Sequence, residues 1–421
     1  MIRPNGFSEF ILRARTVLPV SSPPLADGAV VIRQGRILSV GPAGDLVRGD
    51  STVIDVGDVV LLPGLVNAHC HLDYTSMAGQ IAAPRTFTDW IKLITAGKSG
   101  WLYSDFAASW LAGAKMLLQN GTTTVADVEM SPDLLPEVWD ATPLRVLSCL
   151  EMTGVLRRRP PVELLQEAAE KIASLPAGRS WAGLSPHAPY STAPDLLRGS
   201  ATLARERGWL MVTHLAESVD EFAMFTRRAG PLYDWLSRNG RDMADCGLGT
   251  PVEHYERAGA LHPGVLAVHA NCLGPNDAAL LGTRGVSVAH CPRTHAYFSR
   301  PPFPLAELRA AGVNVCLGTD SLASVYQPRR QVLELDLLAE MRQFREAFPG
   351  ETATDILRMA TVNGARALGL AGRAGELSPG AWADLVAIPY RGEPIDAAEA
   401  VLEHRGPVTA SLIDGEWAFP Q

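Results

Sequence analysis

The central part of the chain alternates short apolar runs with segments of helical period. Segments such as DFAASWLAGAKMLLQNG place apolar residues on one helical face and end near a glycine. Eight runs rich in Val, Leu and Ala separate them: GLVNAHCH, TTTVADV, LRVLSCLEM, WAGLSPHAP, LMVTHLAES, GVLAVHANC, GVSVAHCP and VNVCLGTD. Strands alternating with helices predict an α/β fold, a (β/α)8 TIM-like barrel. A doubly wound sheet is the alternative, which the lack of GxGxxG after the first run disfavours.

The two ends of the chain show short strands and tight turns instead. VVIRQGRILSV alternates around Gln34–Gly35, and the C-terminal stretch ASLIDGEW contains Asp414–Gly415. Both dipeptides are typical of hairpin turns. We therefore expect a small β-sandwich domain built from both chain ends. The predicted division is 1–62 for its N-terminal part, 63–370 for the barrel and 371–421 for its C-terminal part.

Composition excludes several classes of protein. The chain has 421 residues, 47% of them hydrophobic, and a formal net charge of −8 with scattered basic residues. Nucleic-acid binding needs a clustered positive surface, so no nucleic-acid partner is expected. The apolar runs are too short to cross a membrane. The six cysteines form no CxxC pair, and Arg13 and Arg15 interrupt the N-terminal apolar stretch, so we expect a cytoplasmic protein.

Histidines concentrate at the ends of the predicted strands. Active sites of such barrels lie at the C-terminal ends of the strands, so this placement predicts a functional site. The last strand ends in Asp320, and Glu217 follows the fifth. Seven of the ten histidines lie on or just after a strand end: His69, His71, His187, His214, His269, His290 and His295.

The pair His69 and His71 favours a metal site. Side chains alternate faces along a strand, so the two imidazoles share one face and Cys70 points to the other, toward the helices. An isolated HxH is equally compatible with a solvated edge, but His214 and Asp320 at other strand ends supply further ligands. Imidazole and carboxylate ligands suit Zn²⁺, with Fe²⁺ or Ni²⁺ as alternatives, and leave a position open for water.

Six motifs in this order resemble the amidohydrolase superfamily, in particular its aminohydrolase branch of deaminases and chlorohydrolases. The motifs are PGLVNAHCHL, SPHAPYS, THLAES, VHANCL, HCP and LGTDS. The sequence as a whole is similar to those of aminodeoxyfutalosine and S-adenosylhomocysteine deaminases. However, CPRTHAYF has His295 where the branch more often has asparagine, which weakens the transfer of substrate identity from S-adenosylhomocysteine deaminases.

The resemblance implies a role for each matching residue. His69, His71, His214 and Asp320 match the metal ligands, and Asp320 is also expected to be catalytic. Glu217 matches the catalytic proton shuttle beside a substrate ring nitrogen. His269 matches the catalytic histidine that orients the attacking water, and His187 matches a substrate-contacting histidine. The fourth strand lacks the lysine that bridges two metals in other branches, so one divalent metal is expected.

Other residues are candidates for binding the substrate. Tyr74 and Trp90 follow the first strand and are predicted to stack on a flat heterocycle or, equally, to pack in the core. Ser321, the last residue of the LGTDS motif, is also a predicted substrate contact. The three arginines Arg157 to Arg159 indicate either a partner for a substrate carboxylate or a solvated loop. The roles of His290 and His295 stay open.

The expected activity is hydrolytic deamination of an amino-substituted N-heterocycle, most simply an adenine-containing nucleoside of the aminodeoxyfutalosine, S-adenosylhomocysteine or adenosine type, with release of ammonia. Triazine dechlorination, deamination of guanine or cytosine, and hydrolysis of a cyclic amide are alternatives within the same site. A metal-binding barrel without catalysis is an alternative of another class. The resemblance also implies a homodimer.

Overall fold

The computed structural model describes residues 9–82, 84–154, 159–327 and 332–420. Sixteen strands lie in this part of the chain, in two separate sheets. They are β1 Glu9–Val17, β2 Leu25–Arg33, β3 Arg36–Pro42, β4 Val53–Asp55, β5 Val59–Pro63, β6 Leu65–Cys70, β7 Thr122–Glu129, β8 Arg145–Met152, β9 Trp181–Pro186, β10 Met211–Leu215, β11 Val265–His269, β12 Ser287–His290, β13 Val315–Leu317, β14 Leu385–Pro389, β15 Ala410–Ile413 and β16 Glu416–Phe419.

Most of the helices lie between strands β6 and β14, as the periodicity predicts. Four short 3-10 turns accompany them. The α-helices are α1 Ala43–Leu46, α2 Phe87–Lys98, α3 Tyr103–Gln119, α4 Leu135–Asp140, α5 Pro161–Ser174, α6 Pro194–Arg207, α7 Val219–Arg227, α8 Pro231–Arg238, α9 Pro251–Arg257, α10 Asp277–Thr283, α11 Pro292–Tyr297, α12 Leu305–Ala310, α13 Leu337–Ala347, α14 Ala353–Met359, α15 Val362–Ala367 and α16 Ala397–Glu403. None of the helices in the described ranges combines the length and apolarity of a membrane-spanning segment.

Strands β6 to β13 form the predicted barrel. They pair in chain order, and every pairing is parallel. The last strand returns to the first: the amides of Thr319 and Asp320 both donate to the carbonyl oxygen of His69, at 3.0 and 3.1 Å. A parallel bridge between Cys70 and Asp320 completes the contact. The (β/α)8 fold class is therefore confirmed, and each of the eight predicted strands is present.

The remaining strands form the predicted domain from both chain ends. The N-terminal strand β5 pairs with the C-terminal strand β14, so the two ends join in one eight-stranded sheet around a shared apolar cluster. Both predicted hairpins are present. Gln34 and Gly35 have φ of 49° and 72°, and Asp414 and Gly415 have 53° and 75°; positive φ at both central residues is the type I′ geometry that suits a strand pair. The boundaries at 62/63 and 370/371 stay a prediction.

Packing distributes the strand residues between two faces. Residues such as Val125 and Val146 pack against helix residues, including Trp110 of α3. Their alternating neighbours Ala126 and Leu147 belong to a different cluster, which fills the inside of the barrel. Cys70 lies in the helix-facing cluster and is fully buried, as its strand position predicts. The strands are thus packed on both faces, and their C-terminal ends carry the histidines.

Candidate metal centre and active site

The four predicted metal ligands lie together at the C-terminal end of the barrel. The Nε2 atoms of His69 and His71 are 3.5 and 3.7 Å from Oδ1 of Asp320. The Nε2 atoms of His71 and His214 are 3.1 Å apart. The side chains come from strand ends β6, β10 and β13, so closure of the barrel brings them together.

The protonation states of this cluster suit a cation. Burial, then the neighbouring His187 and His69, lowers the pKa of His214 to about 3, and burial also lowers the pKa of His71 well below its usual range. Burial opposes ionisation of Asp320, but contacts with His69, His269 and His71 outweigh it and hold its pKa well below its usual range. Neutral imidazoles and a carboxylate are the forms that bind a divalent metal.

Unpartnered nitrogen atoms also fit a cation-binding site. His69 is fully buried, and neither of its ring nitrogens has a hydrogen-bond partner in the described structure. The Nδ1 atom of His71 is buried without a partner as well. Buried polar atoms are normally paired, because leaving them unpaired is costly. The residues present therefore fit a divalent metal, which would bind the lone pairs that face Asp320.

Other groups orient these ligands. The Nδ1 atom of His214 lies 3.0 Å from the carbonyl oxygen of His187, so it donates there and leaves Nε2 as the coordinating atom. Asn67 of β6 accepts the amide of Thr319 at 3.0 Å and donates to its hydroxyl at 2.7 Å. These bonds fix the first and last barrel strands where they supply His69 and Asp320. Neither orienting contact was predicted.

Glu217 and His269 lie next to the metal centre. The Nε2 atom of His269 is 3.8 Å from Oδ2 of Asp320 and 3.9 Å from Oε2 of Glu217. His269 and Asp320 have φ of 78° and 52°, in the left-handed region that non-glycine residues rarely adopt. Such strained positions concentrate at functional sites, where surrounding structure holds them. Here they turn the chain after strands β11 and β13.

The environment of Glu217 favours the protonated form of its carboxyl group. Burial raises the pKa of Glu217 to about 8, although Arg300 lowers it in part. Arg300 donates to Oε1 of Glu217 at 2.9 Å, and its guanidinium lies 4.8 and 4.4 Å from the ring centres of Phe87 and Phe298. On the other side, Glu221 accepts the backbone N–H of Glu217 at 2.7 Å. The shuttle candidate is thus held from two directions.

A cavity of about 400 Å³ opens onto these groups. Its volume falls within the range of ligand pockets, and its lining is mostly aromatic or apolar away from the candidate metal ligands. The four predicted substrate contacts, Tyr74, Trp90, His187 and Ser321, all line it. The other lining residues are His71, Phe87, Ile91, Ile94, Thr95, Lys98, Met130, Glu151, Thr153, Tyr190, Ser191, His214, Glu217, Trp235, Leu236, His269, Phe298 and Asp320.

Each predicted substrate contact also interacts with another residue of the protein. Tyr74 stacks on His71 with ring centres 5.3 Å apart. Trp90 stacks on Phe87 at 6.0 Å, and its face therefore continues an aromatic wall of the cavity. The Nδ1 atom of His187 lies 2.5 Å from the hydroxyl of Ser191. The Ser321 hydroxyl accepts the amide of Ala323 at 2.9 Å.

His290 and His295, whose roles stayed open, do not line the cavity. His290 stacks on Phe303 with ring centres 3.9 Å apart, and burial lowers its pKa well below the usual range, so it is a packing residue. His295 lies 3.0 Å from Asn271 Oδ1. Arg157 and Arg158 lie outside the described residues. Arg159 donates to Glu167 at 2.8 Å on the surface, which favours the solvated alternative for this residue.

Sequence reasoning missed several polar groups of the site. Arg300 has no local motif, because its partner Glu217 is 83 residues away in sequence. Lys98 lies at the end of a helix, and Glu151 lies within an apolar strand run, so neither had a pattern to mark it. The thiol of Cys291 also groups with His269 and Asp320. Only its position one residue after the end of β12 could have singled it out.

A parallel barrel with a divalent-metal site at the C-terminal ends of its strands is the architecture of a metal-dependent barrel enzyme. The sequence profile of the amidohydrolase family matches residues 60–418. Since this match covers most of the chain, the protein belongs to the amidohydrolase family.

Relatives and solved structures extend the match over nearly the whole length. The 5-methylthioadenosine/S-adenosylhomocysteine deaminase of Syntrophobacter fumaroxidans is 34% identical over 387 residues, which cover 86% of this chain and 80% of the relative. A zinc-bound adenosine deaminase from Xanthomonas campestris is 26% identical, with a TM-score of 0.82 over 97% of this chain and 92% of its own. Aminofutalosine deaminase of Helicobacter pylori, in complex with methylthio-coformycin, gives 0.85 at 22% identity, covering 97% and 99%; it shows the shared fold alone.

Proposed function

We propose that the protein is a metal-dependent hydrolytic deaminase that replaces the amino group of an adenine nucleoside with oxygen and releases ammonia. The observation that carries the proposal is the position of Glu217, 3.9 Å from His269 and beside the candidate metal ligands, where burial raises its pKa to about 8. The name of the relative from Syntrophobacter fumaroxidans supports the same reaction and suggests a 5′-thio-substituted adenosine as substrate.

The metal would be held by His69, His71, His214 and Asp320. A divalent ion bound there lowers the pKa of a water molecule to roughly 7 and polarises the reacting carbon centre. Zinc is the preferred ion because histidine and carboxylate ligands suit it, and because the related adenosine deaminase binds zinc. One ion is proposed, since the three groups of potential ligands found in the described part of the chain overlap through His69, His269 and Asp320.

Asp320 and His269 are placed to handle the attacking water. Asp320 stays ionised because of its histidine neighbours, so it can accept a proton as the water adds to the ring carbon. The Nε2 atom of His269 lies within 4 Å of both Asp320 and Glu217, so a water molecule between the carboxyl groups is within its reach. Its burial lowers its pKa well below the usual range and keeps it neutral, so it can orient the water through a hydrogen bond.

Glu217 is placed to protonate the heterocycle. Addition of water to the amino-bearing carbon pushes electrons onto the adjacent ring nitrogen, which must then gain a proton. A carboxyl group with a pKa of about 8 carries that proton at neutral pH and lies at the wall of the cavity. Acid catalysis of this kind typically contributes ~10²–10⁴-fold. The proton that Asp320 collects then leaves with the departing ammonia. As the carbonyl forms, the proton of the new hydroxyl group passes to the ionised Glu217, so both carboxyl groups return to their starting states and the reaction balances.

The cavity supports a flat substrate with a polar extension. Tyr74, Trp90 and Phe298 supply aromatic surface for a purine ring. Lys98 and Glu151 place opposite charges on the same wall, and they suit the hydroxyl or charged groups of a nucleoside substituent. Burial lowers the pKa of Lys98 and raises that of Glu151, so a substrate that brings its own polar groups would improve their solvation.

An ammonia-release screen tests the proposal. Purified protein with measured metal content is offered adenosine, 5′-methylthioadenosine and S-adenosylhomocysteine, with guanine, cytosine and an amino-substituted triazine alongside. We expect release from one or more of the adenine nucleosides, and its loss in Glu217→Gln at unchanged metal content. Metal-loaded protein that releases ammonia from none of the adenine compounds would refute the proposal, and turnover of the triazine alone would favour the related hydrolysis.

A further inference from the structure

A second, larger groove lies at the opposite end of the barrel. It has a volume of about 870 Å³ and runs between the starts of strands β8 and β9, the segment 262–264, and the β domain. Trp382 of the β domain and Trp181 and Trp209 of the barrel line it. Clefts at domain junctions are preferred positions for ligands, and this one is distinct from the catalytic cavity.

The groove is strongly and one-sidedly basic. Its described lining contains no aspartate or glutamate, although the protein carries a formal net charge of −8. The imidazole of His262 also lines it, and its Nε2 atom is buried without a partner in the described structure. Six arginines lie along the groove: Arg36, Arg145, Arg179, Arg205, Arg366 and Arg373.

Within the described ranges, two of these arginines have carboxylate partners. Arg145 contacts Asp384 at 2.6 Å and also pairs with Asp414, and Arg179 contacts Asp414 at 2.8 Å. Two carboxylates therefore offset two guanidinium charges and leave four. The other arginines bond to neutral groups: Arg36 to Gly380, Arg205 to Gly259 and Thr202, and Arg373 to Gly369, whereas Arg366 forms no bond within the described residues.

Three of the guanidinium groups converge on one indole ring. Arg145, Arg36 and Arg373 lie 3.9, 5.6 and 5.6 Å from the ring centre of Trp382. The ring attracts each cation, but like charges brought together repel one another, and an anion between them would relieve this repulsion. Arg145 is buried and held by its carboxylates, so it gives the cluster a fixed centre.

We propose that this groove binds a small polyanion with several phosphoryl groups, at a site separate from the catalytic cavity. Guanidinium groups match phosphoryl oxygens through paired, charge-assisted hydrogen bonds. Four uncompensated arginines favour a ligand with several negative charges, more than one phosphate or sulfate ion carries. The same chemistry is offered by a free polyphosphate and by the phosphate chain of a nucleotide, whose base would meet Trp181 or Trp209.

Equilibrium binding to the metal-loaded protein, followed by calorimetry at matched ionic strength, tests the site. The probes are tripolyphosphate, ATP and adenosine, offered to wild type, Arg366→Ala/Arg373→Ala and Arg198→Ala. Arg198 is an exposed arginine of α6 outside the groove, so its variant controls for loss of surface charge. We expect one tripolyphosphate or ATP per chain, with binding weakened by about tenfold or more in the double variant and unchanged in the control.

The comparison of probes distinguishes the sources of the phosphoryl groups. Equal affinity for ATP and tripolyphosphate identifies the phosphate chain as the recognised unit, and tighter binding of ATP identifies a nucleotide. Arg205→Ala serves as a second variant if the double variant misfolds, and a loss of affinity is expected there as well. Absence of binding, or equal binding by the wild type and the groove variants, overturns the proposal; the latter result would place the anion at the metal.

Discussion

Arg300 donates a hydrogen bond to Glu217 across 2.9 Å, with both side chains only 6% exposed. The pair ties the proposed proton donor to a cation clamped between two aromatic rings. Without this cation the carboxyl group would keep its proton to still higher pH, because burial alone raises its pKa. Arg300 therefore sets both the position of Glu217 and the pH at which it can work.

The first prediction concerns Arg300→Gln. Loss of the charged hydrogen bond should lower kcat by about ten- to a hundredfold, the equivalent of roughly 1.5–3 kcal/mol. Because the pKa of Glu217 rises when the cation is removed, the alkaline limb of the pH–rate profile should move to higher pH. Profiles of wild type, Arg300→Gln and Arg300→Lys measure this shift, with the lysine variant expected between the other two. A limb that moves to lower pH would contradict the assigned pairing.

The second prediction separates proton transfer from metal binding. Glu217→Gln should reduce kcat by roughly 10²–10⁴-fold while the metal content stays unchanged, because Glu217 is not one of the four ligands. Asp320→Asn should lose both activity and metal. Turnover and metal analysis on the same samples test both expectations. Substantial turnover by Glu217→Gln would exclude it as the proton donor.

The third prediction concerns removal of the metal. A ligand that binds only the folded state at 1,000 times its Kd adds about 4 kcal/mol of stability. Chelation should therefore lower the melting temperature, and added zinc should restore it. His69→Ala should have a lower affinity for zinc and a smaller shift, because the unpartnered Nε2 atom of His69 lies 3.5 Å from Asp320 among the candidate ligands. An identical zinc-dependent shift in His69→Ala would exclude His69 as a ligand.

The fourth prediction concerns the junction of the two domains. Arg145 at the start of β8 bonds to Asp384 through two atoms, and their side chains are 5% and 3% exposed. Asp384→Ala leaves a buried guanidinium with Asp414 as its remaining carboxylate, and should reduce the free energy of unfolding by about 3 kcal/mol.

The matched control for that prediction is Glu167→Ala. It removes the partner of Arg159 from an exposed ion pair, with exposed fractions of 59% and 45%, and should have a much smaller effect. Chemical denaturation of both variants, with metal bound, compares the two pairs. Equal effects of the two substitutions would show that the buried pair does not hold the domains together.

The barrel and the location of its site were predictable because both depend on local patterns. Apolar runs alternating with helical segments marked all eight strands, and His69, His214 and Asp320 stand at strand ends, where a barrel exposes them. Their catalytic and ligand roles stay a prediction that the geometry supports. The family assignment, by contrast, is confirmed by the match over 60–418.

Contacts between distant segments could not be predicted. Arg300 reaches Glu217 because α11 and the following turn fold back over the cavity, and nothing near Arg300 in the sequence encodes that path. The basic groove could not be predicted for the same reason, since its six arginines come from both ends and the middle of the chain. Arginines that are far apart in the sequence thus lie close together in the folded protein.

The contact between His69 and Asp320 has a consequence for biosynthesis. The two residues are 251 positions apart, and the backbone bonds that seal the barrel are made at His69 itself. A chain still emerging from the ribosome carries His69, His71 and His214 long before it carries Asp320. In the proposed metal site, all four ligands therefore come together only after the last barrel strand has been released and has inserted, so complete coordination of an ion there would follow closure of the barrel.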